Sequence, residues 1–345
     1  MQMTETEKNA LAADDASPSV KKSAKGRGRW IGIVLVTILG AAAAAWFMWR
    51  HLHRDARALL ELLPPEADAY VVLDLDILQS NPALMKLLAD PPGTALSPEY
   101  RRLLMESGFR YQSDLRQVAM AKLGMDWIGA AVLDLDGPRL ISYLESQNPL
   151  KTELEGRTVY SFGSERPFRL VFIDDRLLAF SVGGDLAPLQ QVFERHANRA
   201  AFSATDYLGQ AGWLQRYPAG SGLWFVGKME QLLAGNPAGP GVGPLQFGGD
   251  WWEGSRLVIA NVISGPLRLD IHIENQCENA AAAERMANAF KAVLAILQAV
   301  PEAESAAPNY APLLAAVAIR QSGESVYLDW HWDARMLALL TGESR

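Results

Sequence analysis

Apolar and polar residues alternate along much of the chain with the period of two that is typical of β-strands. The clearest case is PLRLDIHIE, which starts at Pro266. Successive side chains of a strand point to opposite faces, so one face of this segment should be buried and the other wet or covered by something polar. The apolar face would carry Leu267, Leu269, Ile271 and Ile273, and the polar face Arg268, Asp270, His272 and Glu274.

The predicted strands and helices follow the same order in two halves of the chain. A proline, a turn and an apolar strand open each half, at Pro65 and at Pro218. A strand pair, a helix, a hairpin and a final helix then follow in each. Such self-similarity predicts two related units of about five strands each, residues 64–205 and 206–345. The fold class is therefore α+β, a two-repeat domain of mostly antiparallel sheets with intervening helices.

A different pattern precedes the two units, because residues 30–49 contain no charge. At helical rise they span about 30 Å, the thickness of the bilayer hydrocarbon. Trp30 at one end and Trp46 and Trp49 at the other fit the aromatic belts of membrane spans. We predict a transmembrane helix here. A signal peptide cleaved within the run Ala41 to Ala45 stays open as the alternative.

Charges beside this segment predict its orientation, since Lys and Arg are held on the cytoplasmic side. Residues 1–29 are polar without apolar periodicity and should form a disordered cytoplasmic tail. Residues 50–63 should continue as a juxtamembrane helix until Pro64. The C-terminal domain would then be periplasmic or otherwise extracytoplasmic at the bacterial inner membrane. The cations are Lys21, Lys22, Lys25, Arg27 and Arg29 before the segment, against Arg50, Arg54 and Arg57 after it.

Composition narrows the function classes. Of the 345 residues, 49% are hydrophobic and 21% charged, which is typical of a globular protein. The net charge is −7 and no basic run occurs outside the N-terminal tail, so we expect no nucleic-acid partner. Cys277 is the single cysteine, which excludes an intramolecular disulfide framework. The expected partners are the membrane, through residues 30–49, and an envelope protein. Gly32, Gly40 and Ala44 would also allow a homodimer.

Paired carboxylates are the first candidate site. The word VLDLD occurs twice, and it places Asp74 two residues from Asp76 and Asp134 two residues from Asp136. Residues two apart on a strand share a face, so each pair could bind a divalent cation. The alternative, which we favour, is that these acids accept backbone N–H groups at helix starts.

Histidines supply a second candidate site. The motifs HIE and HWD place His272 two residues from Glu274 and His331 two residues from Asp333. Zinc accepts such a set of ligands. Asp333 directly precedes a predicted helix, however, which favours a capping role. No nucleophile elbow or phosphate-binding loop occurs, and Cys277 falls at the start of a predicted helix. We therefore predict no catalysis, no cofactor and no metal.

A Gly/Pro-rich stretch from Gly235 to Gly254 interrupts the second half. A long loop inside a compact domain is usually functional or disordered. Phe247, Trp251 and Trp252 would then be aromatic anchors for a partner, an apolar ligand or the membrane surface. The alternative is that both tryptophans begin the following strand and pack inward.

Two segments of the first half carry a resemblance. LPPEADAYVVLDLD, from Leu63, and GFRYQSDLRQVAMA, from Gly108, resemble a class of uncharacterised bacterial membrane-anchored extracytoplasmic proteins. The resemblance implies an envelope location and transfers no activity. Taken with the residues, it favours a single-pass interaction or scaffold protein. A lipid or apolar-ligand binding protein and a divalent-metal-dependent hydrolase are the alternatives.

Overall fold

A computed structural model describes residues 56–89, 105–135, 137–198, 201–233, 252–299 and 314–341. The chain divides into two compact units, Met1–Arg54 and Asp55–Arg345, and every described residue belongs to the second. Both predicted repeats therefore lie in the same unit. The predicted tail, the predicted membrane span and most of the Gly/Pro-rich stretch fall outside the described residues. No described helix has the length and apolarity needed to cross a bilayer.

The strands form a 12-stranded sheet in which every pairing is antiparallel. Together with the helices around it, the sheet confirms the predicted α+β class. Its strands are β1 (Ala69–Asp74), β2 (Leu115–Leu123), β3 (Asp126–Leu133), β4 (Leu150–Leu154), β5 (Arg157–Phe162), β6 (Phe168–Phe172), β7 (Leu177–Val182), β8 (Ser221–Lys228), β9 (Ser255–Gly265), β10 (Arg268–Cys277), β11 (Val317–Ser322) and β12 (Ser325–Trp332).

The helices connect these strands and cover parts of the sheet. Two are 3₁₀ helices, η1 (Ala56–Leu62) and η2 (Leu214–Arg216). The α-helices are α1 (Leu75–Leu78), α2 (Pro82–Ala89), α3 (Tyr111–Asp114), α4 (Gly137–Ser146), α5 (Ala187–Ala197), α6 (Ala204–Gln210), α7 (Met229–Leu233), α8 (Ala280–Ala299) and α9 (Ala334–Thr341).

The strand order places β1 beside β8 near the middle of the sheet. The full order is β11-β12-β10-β9-β8-β1-β2-β3-β7-β6-β5-β4. Counting outward from this pair, each half begins with three strands that are consecutive in the sequence. A hairpin from later in that half comes next, and the second strand of the hairpin lies nearer the middle of the sheet. The first half adds the hairpin β4-β5, so its predicted count of about five strands is too low. This common order is what a two-repeat organisation predicts, and the repeat itself stays a prediction.

The largest hydrophobic core lies between one face of the sheet and the short helices η1, α5 and α6. Trp224, Tyr70 and Ile128 are among its fully buried side chains. The predicted boundary between the halves also packs here, because Leu208 and Tyr217 belong to this core. The start of the predicted second unit is thus part of an interior that both halves share.

Only part of the predicted helix over residues 50–63 lies within the described residues. Ala56–Leu62 is a 3₁₀ helix, and residues 50–55 lie outside the description. Ala56, Leu59 and Leu63, spaced by three and four residues along one helical stripe, are buried, but Leu60 and Leu62 are buried as well. A helix buried on more than one side belongs to a core. This segment is part of the domain.

Smaller cores cover the opposite face of the sheet. Toward β11, α8 packs through Ala283, Met286 and Ala287. Toward β5, α4 packs through Leu140 and Leu144. The close fit between β3 and β7 requires Gly129, since a Cβ there would lie 2.3 Å from the Phe180 ring.

The hydroxyl of Tyr70 is a buried polar group of the main core. It donates to the carbonyl of Pro64 and accepts from the amide of Ala67, both at 3.0 Å. Burial raises the pKa of Tyr70 above its usual value near 10. The folded protein therefore keeps this proton at pH values where an unfolded tyrosine would release it.

We expect this difference to make unfolding easier in alkali. Stability from Tyr70 is complete below about pH 10, the unfolded pKa, and is lost as pH rises above it. Tyr70→Phe should remove that part of the pH dependence and lower the unfolding free energy at neutral pH by about 1 to 3 kcal/mol. Urea denaturation from about pH 8 to about pH 11 measures both effects. Equal alkaline slopes for the parent and the variant would contradict the expectation.

Candidate functional site

Asp74 ends β1 and starts α1, as the capping alternative predicts. Its Oδ1 accepts from the backbone amide of Ile77 at 3.2 Å. Its Oδ2 accepts from Nε2 of Gln117, on the neighbouring strand β2, at 3.1 Å. Both carboxylate oxygens thus have protein donors, which leaves Asp74 poorly suited to hold a cation.

Arg116 contacts one aspartate from each of the two VLDLD motifs. Its Nε lies 2.6 Å from Oδ1 of Asp76, and its Nη1 lies 3.9 Å from Oδ2 of Asp134. A guanidinium already supplies the positive charge between these acids. Asp136 lies outside the described residues. In the described part of the chain, no cluster of three or more His, Cys, Asp or Glu side chains could hold a metal ion.

A cavity of about 270 Å³ adjoins Asp134 at the ends of β2 and β3. Asp114 and Arg139 line it together with Phe109 and Leu140. Because carboxylates and a guanidinium line its wall, this cavity is not the continuous apolar cavity that a lipid carrier would need.

Two reciprocal histidine–aspartate pairs lie on the polar face of β10 and β12. The register sets His272 opposite Asp329 and Asp270 opposite His331. Nδ1 of His272 lies 2.8 Å from Oδ1 of Asp329, and Nδ1 of His331 lies 3.0 Å from Oδ1 of Asp270. The two imidazole centroids are 5.5 Å apart. We call Asp270, His272, Glu274, Arg320, Tyr327, Asp329 and His331 the polar face.

Arginines complete the charge pattern of this surface. Nε of Arg320, on β11, lies 3.0 Å from Oδ2 of Asp329, and its guanidinium lies over the Tyr327 ring at 4.2 Å. Arg216 of η2 bonds Glu274 at 2.7 Å. Burial raises the pKa of Asp329, but hydrogen bonds from His272 and Arg320 outweigh that effect and hold it below the usual value.

Helix α8 packs on the opposite side of these strands. The polar face itself is partly exposed to solvent. The side chain of His331 is 61% exposed and that of His272 is 37% exposed, whereas the aspartates beneath them are less than 20% exposed. The burial predicted for the apolar face of PLRLDIHIE holds for Leu269, whereas Ile271 and Ile273 are half-buried like the polar residues between them. Leu267 departs from it, because it lies in the turn before β10 and is exposed.

Glu274 and Asp333 have partners that separate them from the histidines. Besides Arg216, Glu274 accepts from the side chain of Ser325 at 3.2 Å. Oδ1 of Asp333 accepts from the amides of Arg335 and Met336 at 2.9 and 3.0 Å. Asp333 is thus positioned as the cap of α9, and the predicted four-ligand set is not assembled.

Trp252 packs inward, as the alternative for the Gly/Pro-rich stretch predicts, but it precedes β9, which begins at Ser255. Its ring meets Phe290 of α8 edge-on with centroids 5.8 Å apart, in the core that also contains Cys277. Gly254, two residues later, has φ +84, and a Cβ there would lie 2.8 Å from that of Ala282. Phe247 and Trp251 lie outside the described residues, so their contact role stays a prediction.

Cys277 is buried at the end of β10 rather than inside the helix that follows. Burial raises the pKa of its thiol. A buried thiol with a raised pKa has the character of a structural cysteine.

Sequence reasoning identified His272 and His331 but missed that Asp329 bonds His272 and that Arg320 in turn bonds Asp329. Asp270 was placed on the polar side of its strand without a partner. The pairs depend on β10 lying beside β12, although α8 and more than 40 residues separate the two strands in the sequence. The usable signal was a second alternation, in YLDWHWD, which puts Asp329 and His331 on one face.

Comparisons with known proteins give little more. No family model matches the chain, and no curated protein matches it. Among solved structures, crystal form III of TP0453 is 10% identical with a TM-score of 0.47, over 82% of this chain and 98% of that chain. Crystal form IV of TP0453 is 9% identical with a TM-score of 0.42, over 84% of this chain and 100% of that chain. Similarities of this extent do not establish a shared fold.

Proposed function

We propose that the chain is a single-pass interaction protein of the bacterial envelope, without catalytic activity, whose polar face binds another protein. The polar face is the observation that carries the proposal. It presents carboxylates, imidazoles and a guanidinium across three adjacent strands, and side-chain bonds between the strands hold them. Complementary charges across an interface give specificity and set the register of the partner.

The membrane anchor in this proposal is the predicted span at residues 30–49. It ends at Trp49, and the buried part of the domain begins at Ala56, so residues 50–55 connect them. The N-terminus would be cytoplasmic and the domain extracytoplasmic, as the flanking charges predict.

Site-specific photo-crosslinking in cells tests the proposal. A photoreactive residue at Ala318, which is exposed on β11 directly opposite Asp329, should give one discrete adduct with a second protein. The same residue at Glu153, exposed on β4 at the far end of the sheet, is the control and should give none. Arg320→Ala should weaken the adduct from position 318, because it removes a charge that the partner would meet.

Other results would overturn the proposal. Equal labelling from positions 318 and 153 would mean that the polar face is not a specific surface. An adduct between two copies of the chain would replace the envelope partner with a homodimer.

A further inference from the structure

The two histidines of the polar face share one feature with many metal-binding histidines, a carboxylate bonded to Nδ1. A carboxylate only accepts hydrogen bonds, so Nδ1 of His272 donates to Asp329 and Nδ1 of His331 donates to Asp270. This leaves the lone pair of each neutral imidazole on Nε2. Metal-ligating histidines almost always donate their other N–H to a carboxylate, a carbonyl or water, which fixes the tautomer and raises ligand basicity.

The spacing of the two rings also fits a shared ion. A metal–nitrogen bond of about 2.0 to 2.1 Å, extended by the radius of the ring and taken at a tetrahedral angle, places two imidazole centroids about 5 Å apart. The observed separation is 5.5 Å, with the rings inclined at 69°. Both side chains reach solvent, so an ion can enter without unfolding the sheet.

We propose that Nε2 of His272 and Nε2 of His331 bind one divalent first-row transition-metal ion on the polar face. Asp329 and Asp270 are positioning residues, which hold the rings. Glu274 is excluded by its bond to Arg216. With two protein ligands, the remaining coordination positions belong to water, so the ion should be exchangeable. Imidazole ligands suit copper, nickel and zinc, and the affinity for copper should exceed that for nickel or zinc.

Calorimetric titration of the chelator-stripped full chain in mild detergent, with Ni²⁺ or Cu²⁺, tests the site. His51 and His53 form a competing His-x-His word, so the parent for this experiment carries His51→Ala and His53→Ala. We expect one ion per chain at the polar face. His272→Ala and His331→Ala should each abolish this binding as fully as the double variant, because the two rings share one ion.

Substitutions of the positioning residues separate this site from a pair of unrelated histidines. Asp329→Asn should lower the affinity by about 10- to 100-fold while both ligands remain. His196→Ala, on α5, is the matched control and should change nothing. Electron paramagnetic resonance of the Cu²⁺ form should show two imidazole nitrogens, a signature that both single variants lose. Circular dichroism checks that each variant is folded.

Two results would overturn the inference. One is that each single histidine variant keeps an undiminished site, and the other is that Asp329→Asn binds as tightly as the parent. The titration needs no partner protein. Failure of the metal site would therefore leave the crosslinking test of the proposed function unaffected, and the reverse also holds.

Discussion

Replacing Trp224 with alanine should lower the free energy of unfolding by about 3 to 5 kcal/mol. Trp224 is fully buried on β8, opposite Val72 of β1, where the two halves of the sheet meet. Its ring lies parallel to that of Tyr217, with centroids 5.1 Å apart. The guanidinium of Arg57 covers Tyr217 at 4.3 Å. Losing the indole would open a cavity beneath this stack, and rigid strands on both sides could not collapse to fill it.

Denaturant unfolding of the full chain in mild detergent, followed by circular dichroism, measures this loss. Phe202→Ala is the matched control, because Phe202 is 45% exposed and its truncation should change stability by less than about 0.5 kcal/mol. If Trp224→Ala cost no more than the control, the centre of the sheet could not be packed as described.

Shortening the chain should have the second large effect. A chain that begins at Asp55 should fold, whereas one that begins at Pro64 should not. The shorter chain lacks η1 and Leu63, and with them the buried side chains of Leu59, Leu60 and Leu62. Four buried leucines at about 1.5 to 3 kcal/mol each represent roughly 6 to 12 kcal/mol. The whole stability of a domain is about 5 to 15 kcal/mol, so their loss should be decisive.

Thermal unfolding and limited proteolysis of the two shortened chains compare them directly. The chain from Asp55 is the control, since it also lacks the tail and the predicted span. In the full chain, Leu60→Ala should lower the unfolding free energy by about 2 to 5 kcal/mol. A cooperative transition at the same temperature for both shortened chains would show that η1 does not support the fold.

Local patterns were sufficient to predict most strands of this protein. The alternation of PLRLDIHIE and the turns of the hairpins β6-β7 and β11-β12 are properties of short segments, and the structure confirms the strands that they predict. The burial of η1 was not predictable in the same way. The spacing of Ala56, Leu59 and Leu63 indicates one apolar stripe, but contact with β2, α5 and α6 buries the other side as well. The burial of η1 therefore depends on tertiary contacts.

In the candidate sites, too, local features were predictable from the sequence and long-range contacts were not. The capping of α1 by Asp74 was an expectation from local sequence, because a carboxylate before a helix commonly accepts backbone amides. The bond between Asp270 and His331 joins residues 61 positions apart. No short sequence motif contains such a pair, so the pair can be recognised only once the strand order is known.

The pairing of β1 with β8 makes the timing of folding a concern for this chain. β1 can pair with β2 early, but its other edge waits for a strand that lies about 150 positions later in the sequence. At a synthesis rate of about 5 to 20 residues per second, roughly 5 to 20 s pass between the completion of β2 and that of β8. During that time an apolar strand edge stays open to neighbouring chains. Nascent copies of this protein should therefore depend on chaperones until the second half has emerged.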